Sequence, residues 1–560
     1  MSTFTRRDFL RIAATTSGSL VVSTQLTGCA SFSKPALSSA TFTHGVASGD
    51  PLASSVILWS RALPVSPQSQ VTVAYEVSLD NEFKQVIRSG SLTTDASKDF
   101  TLKLDVTGLA PATSYYYRFI SAENQSVVGH TKTLPVGEVS QLKFAVFSCS
   151  NYPAGYFNAY MDASKRSDID VVLHLGDYIY EYPMGGYATS KAKKIGRELA
   201  PDNQTEILNL ADYRKRYATY RTDKGLLALH AAQPFIVVWD DHEVCNDTWR
   251  EGAQNHTPDE GDFFKRRAAA VQAYYEWLPI RPPMGDGHPQ IYRSFDFGDL
   301  LSLHMLDTRV IARDKQLEYK AYQSADGFNG AQFKKDISAP DRALIGQQQF
   351  NWLAKSIEQS NAKWQLLGQQ VLMTKMHFPA EIFASSDRTK FAPVIAELAQ
   401  IKRALLQGKV LTEQQLARVQ TVMPYNLDAW DGYPMEREKL YAVVNKLNKK
   451  LLVVAGDTHN AWQGQLKDHQ GKSVGVEFAT PGVSSPGMEK YLKLNTQQAD
   501  ELSKALSLLI DDLQYCNLHQ RGYLTLTVNP DKVQANWYFV DTILKEDFAI
   551  ANTHQAEFNR

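Results

Sequence analysis

Between Thr41 and Pro135, apolar and polar positions alternate in short runs. Val71-Thr72-Val73-Ala74-Tyr75-Glu76-Val77 and Tyr115-Tyr116-Tyr117-Arg118-Phe119 carry a period of two, and Val56-Ile57-Leu58-Trp59 has strand composition. Asp80-Asn81 and the stretch from Gly108 to Pro111 punctuate them with turn formers. The pattern predicts an all-β sandwich over residues 41–136. The alternative is that these strands extend a neighbouring sheet. From Leu142 the pattern changes to apolar runs separated by longer segments of helical period. Strands are predicted over 142–147, 169–175, 235–239, 300–306, 364–368 and 451–455, and helices over 156–166, 210–218, 263–277 and 346–359. Alternation of this kind predicts a layered α/β domain, here spanning 140–550. Residues 185–208 and 312–341 read as long surface loops of the kind that rim an active site, and 402–420 as a charged helical insertion.

The first 28 residues differ in kind. Arg6-Arg7-Asp8-Phe9-Leu10 is a twin-arginine pair followed by apolar residues, and an uncharged stretch runs from Ile12 to Leu26. This is a signal peptide, and the arginines point to the twin-arginine route. Leu26-Thr27-Gly28-Cys29 resembles a bacterial lipobox, which would make Cys29 the lipidated first residue of a periplasmic or cell-envelope lipoprotein. Cleavage nearer residues 36–40, with Cys29 discarded, is the alternative.

Hydrophobic residues make up 43% and charged residues 21% of the 560, with a formal net charge of -1. Such a chain is globular and has no general basic field for nucleic acid or anionic lipid. Beyond residue 30 there is no apolar run long enough to cross a bilayer. Membrane contact is therefore expected only through a lipid anchor or during export, and a monomer is expected. Four cysteines, Cys29, Cys149, Cys245 and Cys516, are too few for a disulfide scaffold in an exported chain of this length.

The candidate chemistry stands at strand ends, where open α/β sheets bind their ligands. One predicted strand runs into Ser148-Cys149-Ser150 and another into Gly176-Asp177-Tyr178-Ile179-Tyr180. A third runs into Asp240-Asp241-His242-Glu243-Val244-Cys245-Asn246-Asp247, and a fourth into Gly456-Asp457-Thr458-His459. Gly-Asp after a buried strand allows a tight turn that aims a carboxylate into the crevice. Taken singly, Cys149 reads as a small buried hydrophobe, Tyr180 as core packing and His242 as a structural histidine. Their recurrence at strand ends points to metal instead. Carboxylate oxygens suit Ca²⁺ or Mg²⁺, whereas thiolate, imidazole and phenolate suit iron or zinc, so two unlike cations are expected.

In these segments, and in His44-Gly45-Val46-Ala47-Ser48-Gly49-Asp50-Pro51 and Trp59-Ser60-Arg61, the chain resembles the PhoD-type alkaline phosphatases. These are a branch of the calcineurin-like metallophosphoesterases related in their metal site to purple acid phosphatases. The stretch from Gly108 to Arg118 also resembles the late-strand corner of fibronectin type III modules. The resemblance implies an immunoglobulin/fibronectin III-like sandwich followed by a four-layer αββα metallophosphoesterase domain. It implies Cys149, Asp177, Tyr180 and His459 as ligands of Fe³⁺, with Asp177 bridging to a calcium side, of one or two Ca²⁺, built from Asn246 and Asp457. Cys149 stands where other calcineurin-like enzymes carry an Asp-x-His pair, which favours the iron-thiolate branch. Asp241-His242-Glu243 lies where the wider superfamily has Asn-His-Asp/Glu, leaving open which of Asp241 and Asn246 reaches metal; Asn246 is the choice.

The implied activity is hydrolysis of phosphomonoesters, phosphodiesters or both by a metal-activated water, acting on a small-molecule or polymer substrate. His242 and Asp241 are candidate catalytic residues, with His242 protonating the leaving group, and Arg309 is a candidate phosphate clamp. Arg266 or Arg267 is a further candidate for phosphate. A phospholipase D-like diesterase is the rival enzyme, and a non-catalytic binding protein on the same fold the rival from another class.

Overall fold

The computed structural model describes residues 36–283, 290–325, 327–384 and 391–560, so the expected signal peptide and Cys29 lie outside the described residues. A nine-stranded sheet runs in the order Ile550–Asn559, Lys532–Val540, Arg521–Val528, Leu142–Phe147, Val171–His174, Pro234–Val237, Val46–Gly49, Ser55–Arg61, Thr101–Thr107. A seven-stranded sheet runs Arg293–Phe297, Leu301–Met305, Trp364–Gly368, Leu451–Ala455, Ser473–Ala479, Ala461–Lys467, Leu513–Asn517. At the centre of each sheet the strands pair in parallel. Those strands are buried throughout, which is why they read as continuous apolar runs.

The strand period sorts side chains into layers. In Leu142–Phe147, Phe144 meets Phe297 of the other sheet edge to face at 5.1 Å, while Phe147 turns away onto Tyr160 of the helix Asn158–Ser164 at 4.9 Å. Leu452 and Val454 join the core shared with the nine-stranded sheet; Leu451, Val453 and Ala455 join a second core with Leu353 and Leu440, from the helices Gly346–Gln359 and Pro434–Lys446. Trp537 ties the sheets together, its indole N–H donating to the Ala479 carbonyl at 2.9 Å. Strand ends from both sheets thus converge on one edge of the sandwich.

The N-terminal strands are divided. Val86–Asp95, Gln70–Ser78, Ser114–Ile120 and Gly129–Lys132 form a separate four-stranded sheet. Val46–Gly49, Ser55–Arg61 and Thr101–Thr107 instead continue the catalytic sheet, with Phe235 opposite Gly49. Val71, Val73, Tyr115, Tyr117 and Phe119 pack on Val46, Val56 and Leu58 between them. The region is a sandwich, but one of its sheets is shared with the following domain, which covers an edge that would otherwise offer free N–H and C=O groups. Gly49 is required at the join, because a Cβ there would lie 2.1 Å from the Pro279 carbonyl oxygen.

Several predicted elements match to the residue, including Phe263–Trp277 and Trp364–Gly368. Two segments differ. Residues 312–341 contain a helix, Gly330–Ile337, capped by Asn329 and buried through Phe333 and Ile337 alone, too few apolar positions to show a period. The 402–420 insertion belongs to two helices, Phe391–Leu406 and Glu413–Gln420, parted at Gly408 (φ 72°) and restarted by the Thr412/Gln415 capping box. The C-terminal strand reaches Asn559, beyond the expected domain end at 550.

Candidate metal centre

Cys149, Asp177, Asp457 and His459 follow three central strand ends, the last two on one turn, and all have left-handed backbones, with φ of 61°, 54°, 60° and 62°. Each such conformation costs a non-glycine residue about 1–2 kcal/mol, so it persists only where the surroundings impose it. The two Gly-Asp turns impose it by close packing. A Cβ on Gly176 would lie 2.3 Å from the Asp240 amide nitrogen, and one on Gly456 2.6 Å from Ser148. Glu243 braces the first turn, accepting N–H bonds from Asp177 (3.1 Å), Tyr178 (2.5 Å) and Asp240 (2.7 Å).

These turns gather the predicted residues. Ligand atoms of Cys149, Asp177 and His459 lie within 4.8 Å of one another, and so do those of Asp177, Asp241 and His242. Asp177 is common to both groups. The Tyr180 hydroxyl donates to Asp177 Oδ2 at 2.7 Å, lies 3.2 Å from His459 Nε2, and accepts from Ser485 Oγ at 2.6 Å. His459 Nδ1 is 2.7 Å from the Pro486 carbonyl, which only its N–H can satisfy, so Nε2 carries the lone pair that faces Tyr180 and Asp177.

On the other side of Asp177, His242 Nδ1 bonds Glu181 Oε2 at 2.7 Å and its ring lies 4.2 Å from that of Tyr180. Asp241 Oδ1 accepts from the His242 N–H (2.9 Å) and Oδ2 from the Asp247 N–H (2.7 Å). Asn246 sits at the edge. Its backbone N–H is held by Glu181 (2.9 Å) and its side-chain amide donates to Gln254 (2.9 Å), while Oδ1 accepts no hydrogen bond among the described residues.

Arg309 behaves differently from the expected clamp. It is completely buried, with Nε on Asp240 (2.5 Å), one terminal nitrogen on Asp428 (2.9 Å) and the other on Asp457 (3.1 Å). Every nitrogen is taken, so the guanidinium presents no free edge to a phosphate and acts on the carboxylates. Arg266 is likewise bound to Glu206 and the Asn255 carbonyl, and Arg267 to the carbonyls of Arg250 and Val310. The Tyr274-Tyr275-Glu276-Trp277 run is helix packing: Tyr274 and Trp277 lie in the core. Cys245 is buried beside Thr248, and the buried Cys516 donates to the Ser503 carbonyl.

The electrostatics call for cations. Burial, with the Asp177 charge beside it, pushes the Cys149 thiol well above its ordinary pKa, and burial does the same to Tyr180, Asp240 and Asp457. His242 is raised too, well above the usual imidazole value, but by the charges of Asp241 and Glu181 acting against burial. Asp177 Oδ1 is buried with no hydrogen-bond partner. A buried, unpaired carboxylate oxygen costs free energy that a cation would recover. The orphaned oxygen and the mixed donor set fit the metals that the sequence implies.

Sequence reading missed Glu181, Ser485 and Asp428. Glu181 directly follows Tyr180, and an acid beside a ligand motif is a usable sign of a histidine-orienting partner. Ser485 and Asp428 carry no local signal.

Fold and site together define the class, a phosphoesterase hydrolase. The chain belongs to the PhoD-like phosphatase family, whose model matches residues 144–537, and the model of the PhoD-like phosphatase N-terminal domain matches residues 28–135. It is 33% identical, over 572 aligned positions, to alkaline phosphatase D of Bacillus subtilis (strain 168), covering 98% of this chain and 87% of that protein. Among solved structures it is similar to one described as PhoD, with a TM-score of 0.73 and 32% identity, covering 93% of this chain and 91% of that one.

Proposed function

We propose that the protein hydrolyses phosphoesters at a two-metal centre, with Cys149, Asp177, Tyr180 and His459 holding Fe³⁺ and Asn246, Asp457 and the shared Asp177 holding one or two Ca²⁺. The observation that carries this reading is Asp177, which joins the Cys149/His459 group to the Asp241/His242 group and has a buried oxygen left unpaired; Asp457 belongs to neither group and reaches the centre on the turn that carries His459. When bound, such a metal pair activates water and neutralises phosphoryl oxygens. The chain's own residues do the rest. Glu181 fixes the His242 ring through Nδ1, which leaves Nε2 as the ring atom to give a proton to the leaving-group oxygen. Arg309 holds Asp457 in place, acting as a positioning residue rather than a clamp.

Both monoesters and diesters suit this mechanism. One observation favours diesters, including phospholipase D-like substrates: Arg309, Arg313 and Arg521 donate to protein acceptors, so these three offer no cation for the second charge of a monoester dianion. We also propose an immunoglobulin/fibronectin III-like topology for the N-terminal sandwich, supported by the Ala110 N–H donating to the Tyr115 hydroxyl at 2.8 Å, a tyrosine-corner contact.

The metal assignment is tested by Tyr180→Phe, which keeps the ring and removes the oxygen. Protein from its native host should contain iron and calcium and be coloured, because a phenolate on Fe³⁺ absorbs in the visible. In the variant the band should fade or shift and turnover fall about tenfold or more. A colourless native protein holding only zinc or manganese, indifferent to Tyr180→Phe, would remove iron from the proposal.

Location is proposed as periplasmic or cell-envelope, by twin-arginine export with a lipid on Cys29. Labelled palmitate should enter the wild type and not Cys29→Ser; label retained by the variant excludes the anchor.

A further inference from the structure

The loop that carries Tyr180 continues into Tyr182, which the mechanism has not used. Its backbone is pinned, because the fully buried Arg216 donates to the carbonyls of both Tyr180 and Tyr182. Its ring is fixed on two sides, 5.4 Å from the ring of His242 and 5.4 Å from that of Tyr187. Both of those rings in turn lie against Tyr180. Yet the Tyr182 hydroxyl has no hydrogen-bond partner among the described residues, although the residue is half-buried.

The other phenols around it are occupied. Tyr180 is bound to Asp177 and Ser485, and the Tyr187 hydroxyl lies 3.3 Å from His459 Nδ1 and accepts from Tyr491 at 3.2 Å. His242, against which the Tyr182 ring packs, belongs to the cluster, and Tyr182 itself is partly exposed, so the side chain stands between solvent and the centre. A partly exposed phenol with no protein acceptor keeps its O–H free to donate to an anion bound at the cluster.

We infer that Tyr182 is a further catalytic residue, whose hydroxyl donates a hydrogen bond to a non-bridging phosphoryl oxygen of the bound ester. A neutral donor suits this position. It binds an anion without being drawn into an ion pair with a carboxylate of the site, as Arg309 is with Asp240 and Asp457. No bond to Tyr182 forms or breaks: the proton stays on its oxygen, and the leaving group is protonated elsewhere. The inference rests on the cluster being the phosphoryl-binding centre.

The test uses the metal-loaded protein, with inorganic phosphate as a competitive probe and two substrates of unlike leaving group, an aryl and an alkyl phosphodiester. Tyr182→Phe should lower kcat/KM about 10- to 100-fold, equally for both esters, and weaken phosphate inhibition by a similar factor, the scale of one hydrogen bond to a charged group. Metal content and melting temperature should stay at the wild-type values. Tyr182→Leu, which also removes the ring, should weaken phosphate at least as much. Unchanged phosphate inhibition in Tyr182→Phe with a loss only in Tyr182→Leu would assign the effect to the ring and overturn the inference. A loss confined to the alkyl ester would make Tyr182 a leaving-group donor and overturn it equally. A metal-loaded wild type that neither hydrolyses these esters nor binds phosphate would overturn the site reading with it, whereas a working wild type beside an unaltered Tyr182→Phe overturns this assignment alone.

Discussion

Asp177→Asn should reduce phosphoester turnover by more than about a hundredfold and sharply lower the bound content of both metals, since losing even an outer partner at a metal site costs 10–100-fold. Asp177 stands in both ligand groups, and its Oδ1 has no other partner. An amide is nearly isosteric but carries no charge, so it cannot serve two cations as a shared anion. The variant should still fold. Without metal, Asp177 adds to the charge crowding that raises Cys149, Tyr180 and Glu243, the last to about 8, so its neutral replacement should leave the melting temperature of chelator-treated protein unchanged or higher. Metal analysis, steady-state rates and melting curves check all three outcomes. Near-normal turnover with one metal lost would show that the two groups are not coupled through this residue.

Arg309→Met should destabilise the protein by about 3–5 kcal/mol, the usual cost of removing one partner from a buried ion pair and stranding the other. The stranded groups are the buried Asp240, the partly buried Asp457, and in part Asp428, which keeps Arg313. The loss should be read from denaturation midpoints with metal removed, because cations would partly replace the missing charge. Arg309→Lys should recover only a fraction, since one ammonium cannot bridge three carboxylates set around a planar fork. A change below about 1 kcal/mol in Arg309→Met would mean that the carboxylates protonate at little cost, and the network would then be no scaffold for Asp457.

How much of this was legible in the chain depends on the range of the interaction that carries the information. The strands Leu142–Phe147 and Leu451–Ala455 are apolar from end to end because both faces are covered, and that composition is visible without knowing what covers them. The helix Phe263–Trp277 begins on Asp262, whose side chain caps Phe264 N–H, so its start is written locally. The helix Gly330–Ile337 has the same kind of cap, but two buried residues cannot establish a period, so its sequence carries the signature of a loop.

The same division runs through the site. Gly176-Asp177 and Gly456-Asp457 announce themselves because the turn needs glycine and the strand end needs an acid, both properties of a few adjacent residues. The role of Arg309 could not be read in that way. A lone arginine after a strand looks like a phosphate clamp until Asp240, Asp428 and Asp457, from three distant segments, are found to occupy it. The N-terminal strands carry their own hydrophobic pattern, yet only the parallel pairing of Val46–Gly49 with Pro234–Val237 decided that half of the sandwich continues the catalytic sheet. Composition and period along the chain thus determined which segments are strands and helices and which turns bear ligands, because sterics and burial act residue by residue. Which donors are free and which are spent was decided by tertiary structure alone, because a hydrogen bond or ion pair at this site is settled by distances between groups that the sequence keeps from about sixty to some three hundred residues apart.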